Sequence, residues 1–316
     1  MTLCGPEKNA VRVILIRIFS IVNVVNNTYD YLISRPNEFQ QVAVNDLLFL
    51  HYICPQVDQY MYLFSHFNQI SFTLAGDKTF HRGAKSWTMT RHTTMFAKKG
   101  AWLQEKGTTG WEILSLYFSD EFLCRFFQEN RQLWPQKPFA VPSNDIFIGI
   151  KVNEATRAFF YSLLPYFTQQ PPPTESLLEL KFKELLFNIL SNPENAELLA
   201  YVISISDNRK APLPQIMDAN FYFNLSIAEF ARLAQRSVST FKRDFQEYYH
   251  TTPAKWLVQK RVGYAKLLLD TSTNNINEIA YNSGFENPAH FSRVFKEAFG
   301  LSPMRYRQSI LIASHS

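Results

Sequence analysis

The sequence predicts a two-domain α+β protein. Its N-terminal part reads as a small β-barrel or sandwich followed by helices, its C-terminal third as an all-α domain of two helix-turn-helix units. Three observations carry the prediction. The chain has 316 residues, more than one ordinary domain needs, and its 46% hydrophobic and 19% charged residues are the composition of a folded globule. Short apolar runs punctuated by glycine fill the stretch from about Leu47 to Phe118 and give way to helical periodicity from Ser119 onward. The last third then repeats itself.

Taken in order, Val11–Val25 (VRVILIRIFSIVNVV) is strongly apolar. Arg17 interrupts it, no small-residue cleavage site follows, and the run falls short of the ~20 residues that a membrane-spanning helix needs. A buried strand or a misplaced start codon fits better, and no membrane partner is expected. ISFTLAG, WTMTRHTTMFAKKG and WEILSLYFS are β-branched and aromatic, with Gly76, Gly83, Gly100, Gly107 and Gly110 marking turns. The lysine pair Lys98–Lys99 reads as a solvated turn. Ser119 caps a helix in SDEFLCRFFQEN, and NEATRAFFYSLLPYF is a second helix. After Pro171–Pro173, Thr174 caps a third, on which Leu178, Phe182, Leu185 and Ile189 form a stripe at i, i+4, i+7 and i+11. The stripe is either an ordinary core face or the seam of a homodimer. Ser206–Gln215 (SDNRKAPLPQ) reads as a linker. The expected division is residues 1–205 (β part about 40–118, helices about 119–205), a linker at 206–215 and a helical domain at 216–310.

In the repeat, Ile227 and Ala231 match Ile276 and Ala280 at a spacing of 49, while Phe241, Arg243, Phe245 and Pro253 match Phe291, Arg293, Phe295 and Pro303 at a spacing of 50. The offset changes where a corner must lie, so each copy is helix, turn, helix, at about 226–249 and 275–299. Gly284 ends the first helix of the second copy, because glycine takes the left-handed conformation without steric cost. Asn287 suits an N-cap and Pro288 the first helical position. Phe291 and Phe295 anchor the inner face, leaving Ala289, His290, Ser292, Arg293 and Lys296 outside. The first copy uses Ser237 as cap, Phe241 and Phe245 as anchors, and Ser239, Thr240, Lys242 and Arg243 outside. A second helix that is polar and basic on its outer face suits the DNA major groove, where Arg reads guanine and Ser or Thr contacts several bases. Pro288 and Ala289 offer no side-chain hydrogen bonds, so the second copy is expected to read less by direct contact. The helix between the copies, TPAKWLVQKRVGYAKLLLDT, would fix the separation of the two readers. His250 stands where the second copy has Gly300, so the corner after the first reader is expected to differ.

INEIAYNSGFENPAHFSRVFKEAFGLSPMRYR resembles the signature of the AraC/XylS family of bacterial transcription regulators, including Ala280, Gly284, Phe285, Phe291, Arg293, Phe295, Gly300, Pro303 and Tyr306. The match covers about residues 220–308. The resemblance implies a cytoplasmic DNA-binding transcription regulator, an activator, with promoter DNA and RNA polymerase as partners. It implies base-reading roles for Ser239, Lys242 and Arg243 and for Ala289, His290, Ser292 and Arg293. The N-terminal part is similar in layout to the family's cupin-like β-barrel with dimerisation helices, and to its type III secretion activators, whose regulatory region responds to partner proteins. No effector, small molecule or protein, can be named from the residues.

Charge agrees with a polyanion partner. From Asp207 onward there are 14 Lys+Arg and 9 Asp+Glu, which accounts for the whole net charge of +5. Enzyme classes find little support. The seven histidines form no HxH or HExxH pair, and a metal-dependent cupin-type enzyme would need His81 and His92 to converge. No P-loop, GxSxG or dinucleotide fingerprint occurs. Cys4, Cys54 and Cys124 form no CxxC pair and lack the Pro-Cys-His setting of a methyl-acceptor protein. No cofactor is expected.

Overall fold

The computed structural model describes residues 26–54, 60–105, 110–135, 140–207 and 213–313. The apolar stretch Val11–Val25 and Cys4 lie outside them. The N-terminal part opens with β1 (Asn26–Asn27) and α1 (Thr28–Ile33), followed by β2 (Gln40–Val44), β3 (Leu47–Cys54), β4 (Met61–Ser65) and β5 (Asn68–Ala75). Next come β6 (Lys78–Arg82), β7 (Lys85–Met89), β8 (Thr94–Ala97), β9 (Gly100–Gln104) and β10 (Trp111–Phe118), then α2 (Asp120–Glu129) and β11 (Phe147–Ile150). Three helices close it: α3 (Glu154–Ser162), α4 (Glu175–Leu190) and α5 (Ala196–Asp207). Ser119, Asn153 and Thr174 cap α2, α3 and α4 by accepting from the N–H three residues on.

The strands do not close into a barrel. They form two sheets, one ordered β1-β4-β9-β6-β7 and one ordered β11-β8-β5-β10-β3-β2, antiparallel except for the β1–β4 pair. Alternation along each strand sends side chains to two faces. On β5 and β10, Ile70, Phe72, Leu74, Leu114, Leu116 and Phe118 pack under α2–α5. Trp111 and Ile113 point the other way and meet Leu63, Phe80 and Trp102 between the sheets. The sandwich interior holds a cavity of about 370 Å³. On one wall of it Gln69 Nε2 donates to the hydroxyls of Ser71 (2.6 Å) and Ser115 (3.1 Å).

The stripe on α4 resolves in favour of the core. Leu178, Phe182, Leu185 and Ile189 are all fully buried among Phe49, Phe118 and Phe122. Their contacts are used up within the chain, so the dimer-seam reading of these four residues is withdrawn. The lysine pair also differs from its expected solvated turn. Lys99 Nζ lies 2.7 Å from Asp120 Oδ2 with both side chains 10% exposed. Lys98 Nζ donates to the Ser143 carbonyl at 2.5 Å, and burial pushes its pKa down to about 8.

The C-terminal part has α6 (Leu213–Asn220), α7 (Ile227–Leu233), α8 (Val238–Tyr249), α9 (Pro253–Thr271), α10 (Ile276–Asn282), α11 (Pro288–Phe299) and α12 (Pro303–Ala313). Of the linker expected at 206–215, residues 206–207 end α5, 213–215 begin α6, and the rest lies outside the described residues. Two cores form here. The first joins α6, α7 and α8 to the N-terminal half of α9 through Phe230, Phe241, Phe245 and Trp256, and it reaches Phe64 and Ala101 on the outer face of the smaller sheet. The second joins α10 and α11 to the C-terminal half of α9 through Val262, Ala265, Phe285, Phe291 and Phe295.

Candidate nucleic-acid interface

Each unit starts from local sequence chemistry. Ser226 and Glu229 form a capping box at α7, with Glu229 N–H donating to Ser226 Oγ (3.2 Å) and Ser226 N–H to Glu229 Oε2 (2.7 Å). Asn275 and Glu278 do the same at α10. Both turns then close with a Schellman pattern: Arg236 N–H reaches the Ala231 carbonyl at 2.9 Å and Phe285 N–H the Ala280 carbonyl at 3.0 Å. The left-handed residue is Gly284 (φ +87) in the second unit and Gln235 (φ +53) in the first. Gly284 is needed for more than its φ. A Cβ there would stand 2.8 Å from Arg261 Nε and 2.9 Å from the Tyr222 carbonyl oxygen. Gln235 has room, and its amide donates to Glu121 Oε1 at 2.8 Å.

The second helices of the two units are alike. α8 and α11 have 12 residues each, capped by Ser237 and Asn287. Asn287 Oδ1 accepts from the N–H groups of Ala289 (2.8 Å) and His290 (3.3 Å). Phe241, Phe245, Phe291 and Phe295 are fully buried, as the anchor spacing requires. The corner expected to differ does not: His250 takes φ +54 and Gly300 φ +78, and both end their helices left-handed. The i→i−4 bonds from His250 N–H to Gln246 O (3.0 Å) and from Gly300 N–H to Lys296 O (2.8 Å) hold both corners in the same geometry.

On the outer faces, Ser239, Lys242, Arg243, Ala289, His290, Arg293 and Lys296 are exposed, while Thr240 and Ser292 are partly so. Thr240 Oγ1 is tied to the cap, accepting from Ser237 Oγ at 2.9 Å. Arg243 is 74% exposed and Arg293 67% exposed. Arg243 Nη2 meets Asp244 Oδ1 at 3.3 Å, but Arg236 Nε holds the other carboxylate oxygen at 2.9 Å. Arg293 Nη1 meets Glu297 Oε1 at 3.4 Å. Neither pair is tight or buried, so both guanidinium groups can exchange their partners for a base at small cost. Gln246 extends the exposed face of α8 by one turn, and Val238 is 40% exposed at its first position. Sequence reasoning passed over both, although Gln246 occupies the position of Lys296 and helical spacing from Ser239 would have found it.

The N-terminal part touches the first unit away from the outer faces of α8 and α11. Asp30 Oδ2 accepts from Arg232 Nη1 at 2.5 Å, and Glu121 binds Gln235 as above. His66 lies 3.9 Å from Asp30. Burial holds its pKa below the usual histidine value, Asp30 opposing and Arg232 and Lys99 assisting. The histidines suggested for a metal site do not share a partner: His81 Nε2 is 2.8 Å from Glu105 Oε2, and His92 Nε2 is 3.1 Å from Tyr161 Oη. Among the described residues no group of three His, Cys, Asp or Glu is placed to hold a metal, and no helix is long and apolar enough to cross a membrane.

Two family descriptions match the chain, "ExsA N-terminal regulatory domain" over residues 68–201 and "Helix-turn-helix domain" over residues 230–309. The "HTH-type transcriptional regulator ExsA" of Pseudomonas aeruginosa is 24% identical over 214 residues, which span 68% of this chain and 76% of that one. The "Virulence regulon transcriptional activator VirF" of Yersinia enterocolitica is 21% identical over 243 residues, spanning 74% and 86%. Among solved structures, a variant of apo ToxT from Vibrio cholerae strain SCE256 is 17% identical, with a TM-score of 0.40 over 84% of this chain and 97% of that one.

Proposed function

Since the chain belongs to the AraC/XylS family of transcription regulators, we propose that it is a sequence-specific activator whose α8 and α11 read successive major grooves of promoter DNA in the cytoplasm. The observation that carries this is the placement of two matching units on one rigid helix. α9 has 19 residues, a rise of roughly 28 Å, which approaches the ~34 Å between successive groove faces on one side of B-DNA. One chain can therefore present both readers without a second copy. Ser239, Lys242 and Arg243, with Ala289, His290, Ser292, Arg293 and Lys296, are the base and phosphate contacts in this reading, and Thr240 serves the cap. RNA polymerase is the partner an activator recruits. The N-terminal domain is the sensor, responding to an effector that its contacts with α6 and α7 can transmit. A homodimer built on the α4 stripe is not part of the proposal.

Genome-fragment selection with the purified full-length chain, repeated at several salt concentrations, tests this reading. The expected result is a motif of two elements about 10 base pairs apart, bound less tightly as salt rises in proportion to the phosphates neutralised. Equal retention of all fragments at low salt, with no motif, would reduce the domain to a nonspecific binder and end the proposal.

A further inference from the structure

Five residues, Ala219–Phe223, lead from the end of α6 toward α7, and they are held from two sides. From the N-terminal domain, Arg82 Nη2 donates to the Ala219 carbonyl (2.6 Å) and to Asn220 Oδ1 (2.9 Å). The backbone N–H of Ala101 donates to the same Asn220 oxygen at 3.3 Å, and Asn220 itself is almost fully buried. The Arg82 guanidinium also lies 5.9 Å from the centre of the Phe223 ring, and Tyr62 meets that ring edge-on at 6.2 Å.

From the opposite side comes Arg261, on α9. Its Nε donates to the Phe221 carbonyl at 2.7 Å and its Nη2 to the Phe223 carbonyl at 2.8 Å. Two carbonyls two residues apart are thus fixed by one planar fork, a geometry that lysine cannot reproduce. Burial pushes the Arg261 pKa down to about 10, which marks a cation held in a poorly solvated place. Between the two gripped carbonyls, Tyr222 O faces the turn of the second unit, where Gly284 has no side chain to keep Arg261 and Tyr222 away. Arg261 sits at the point on α9 where the first core ends and the second begins, between Leu257 and Val262.

We propose that Arg261 is the positioning residue that sets the spacing and angle between the two reading helices, and that Ala219–Phe223 is the joint through which the N-terminal domain, gripping by Arg82, adjusts them. One residue of α9 binds the stretch entering the first unit and abuts the turn of the second. A shift of that stretch relative to the sheet therefore reaches both readers, while neither touches the sheet through its outer face. The inference rests on the two-reader function above and adds the part of the chain that governs it.

The test uses full-length protein and duplexes carrying the selected two-element site, unaltered or with one base pair inserted or deleted between the elements. One base pair rotates the second element by roughly a tenth of a turn, and wild-type binding is expected to fall about tenfold or more. Arg261→Met should bring that spacing penalty to within a few fold, while the penalty for mutating a base inside either element persists. Arg261→Lys should recover only part of it. Arg82→Ala, at the partly exposed rim, should soften the spacing penalty in the same direction and less, and it carries the test if Arg261→Met melts early. Both variants folded with the full wild-type spacing penalty, or Arg82→Ala alone with it where Arg261→Met does not fold, would overturn the proposal and leave the two-reader function standing. Wild-type binding that ignores spacing altogether would remove the two-reader function first, and this inference with it.

Discussion

Arg293→Ala gives the sharpest reading of the docking geometry. The side chain is 67% exposed and its one described ion pair, with Glu297 at 3.4 Å, is an exposed i,i+4 contact. Such a pair contributes about 0.3–0.5 kcal/mol, so the substitution should leave folding stability within ~0.5 kcal/mol of wild type. On DNA, a bidentate arginine–guanine contact is worth about 1–3 kcal/mol of discrimination. The Glu297 pair must be given up to make it, which leaves a net loss on the cognate site of about 0.5–2.7 kcal/mol, or roughly 2- to 100-fold in Kd. The loss should fall at one base position, where the variant becomes indifferent. Glu297→Ala is the opposing control: it releases Arg293 and removes a carboxylate near the phosphates, so binding should tighten about twofold. Fluorescence anisotropy on the selected duplex and on its single-base variants, at two salt concentrations, reads all of these. A uniform loss over every sequence, with a salt slope lowered by about one, would make Arg293 a phosphate contact. Unchanged affinity and preference would refute the placement of α11 in the groove.

Three further outcomes follow from the fold. Leu185→Asp puts a carboxylate into a fully buried site and should cost several kcal/mol, unfolding the N-terminal domain, while Leu180→Asp on the 64% exposed face of the same helix should change little; a stable Leu185→Asp protein that merely lost mass in sedimentation would reinstate the dimer seam. His250→Gly relieves a left-handed non-glycine cap at φ +54 and should raise the melting temperature, by up to about 1 kcal/mol of stability after the entropic cost of glycine, whereas a lower Tm would mean that the His250 side chain is needed there. His66, with a folded pKa below its unfolded value, resists a proton that the unfolded chain accepts, so stability should decline as pH falls from about 6.5 toward that lowered pKa; His66→Gln should flatten the decline in thermal melts below about pH 6.5, and an unaltered slope would assign it to other groups.

What the sequence disclosed and what it withheld divide along a physical line. Helix starts were legible because their chemistry is local: Ser119, Thr174, Ser237 and Asn287 each cap from within three residues of the N–H they satisfy. The repeat was legible because it places the same large anchors, Phe241 and Phe291, at matched positions. The α4 stripe was only half legible, since periodicity states that a face is covered and not by what. Non-glycine left-handed residues such as Gln235 and His250 carry no strong composition signal, so the first unit's turn and corner were less visible than those of the second. The joint at Ala219–Phe223 was invisible. Its two arginines act on backbone carbonyls, which every residue type has, and Arg82 comes from 137 positions away.

The placement of those contacts bears on how a regulatory domain could silence or release the two proposed readers. Covering them is the simplest device, and the structure argues against it. The hydrogen bonds described from the N-terminal domain fall on Ala219, Asn220, Arg232 and Gln235, while Lys242, Arg243, Arg293 and Lys296 remain exposed. An exposed ion pair such as Asp30–Arg232 adds little energy by itself. The buried Asn220, held by Arg82 and Ala101, and the apolar patch around Phe64 supply the firmer attachment. A domain attached there can alter the geometry of two readers and leave each one's chemistry intact. Its effect should therefore be greatest on sites that demand both elements in one register. Regulation of that kind changes which promoters are bound more than whether DNA is bound at all, and a single-element duplex should be indifferent to changes at Arg82.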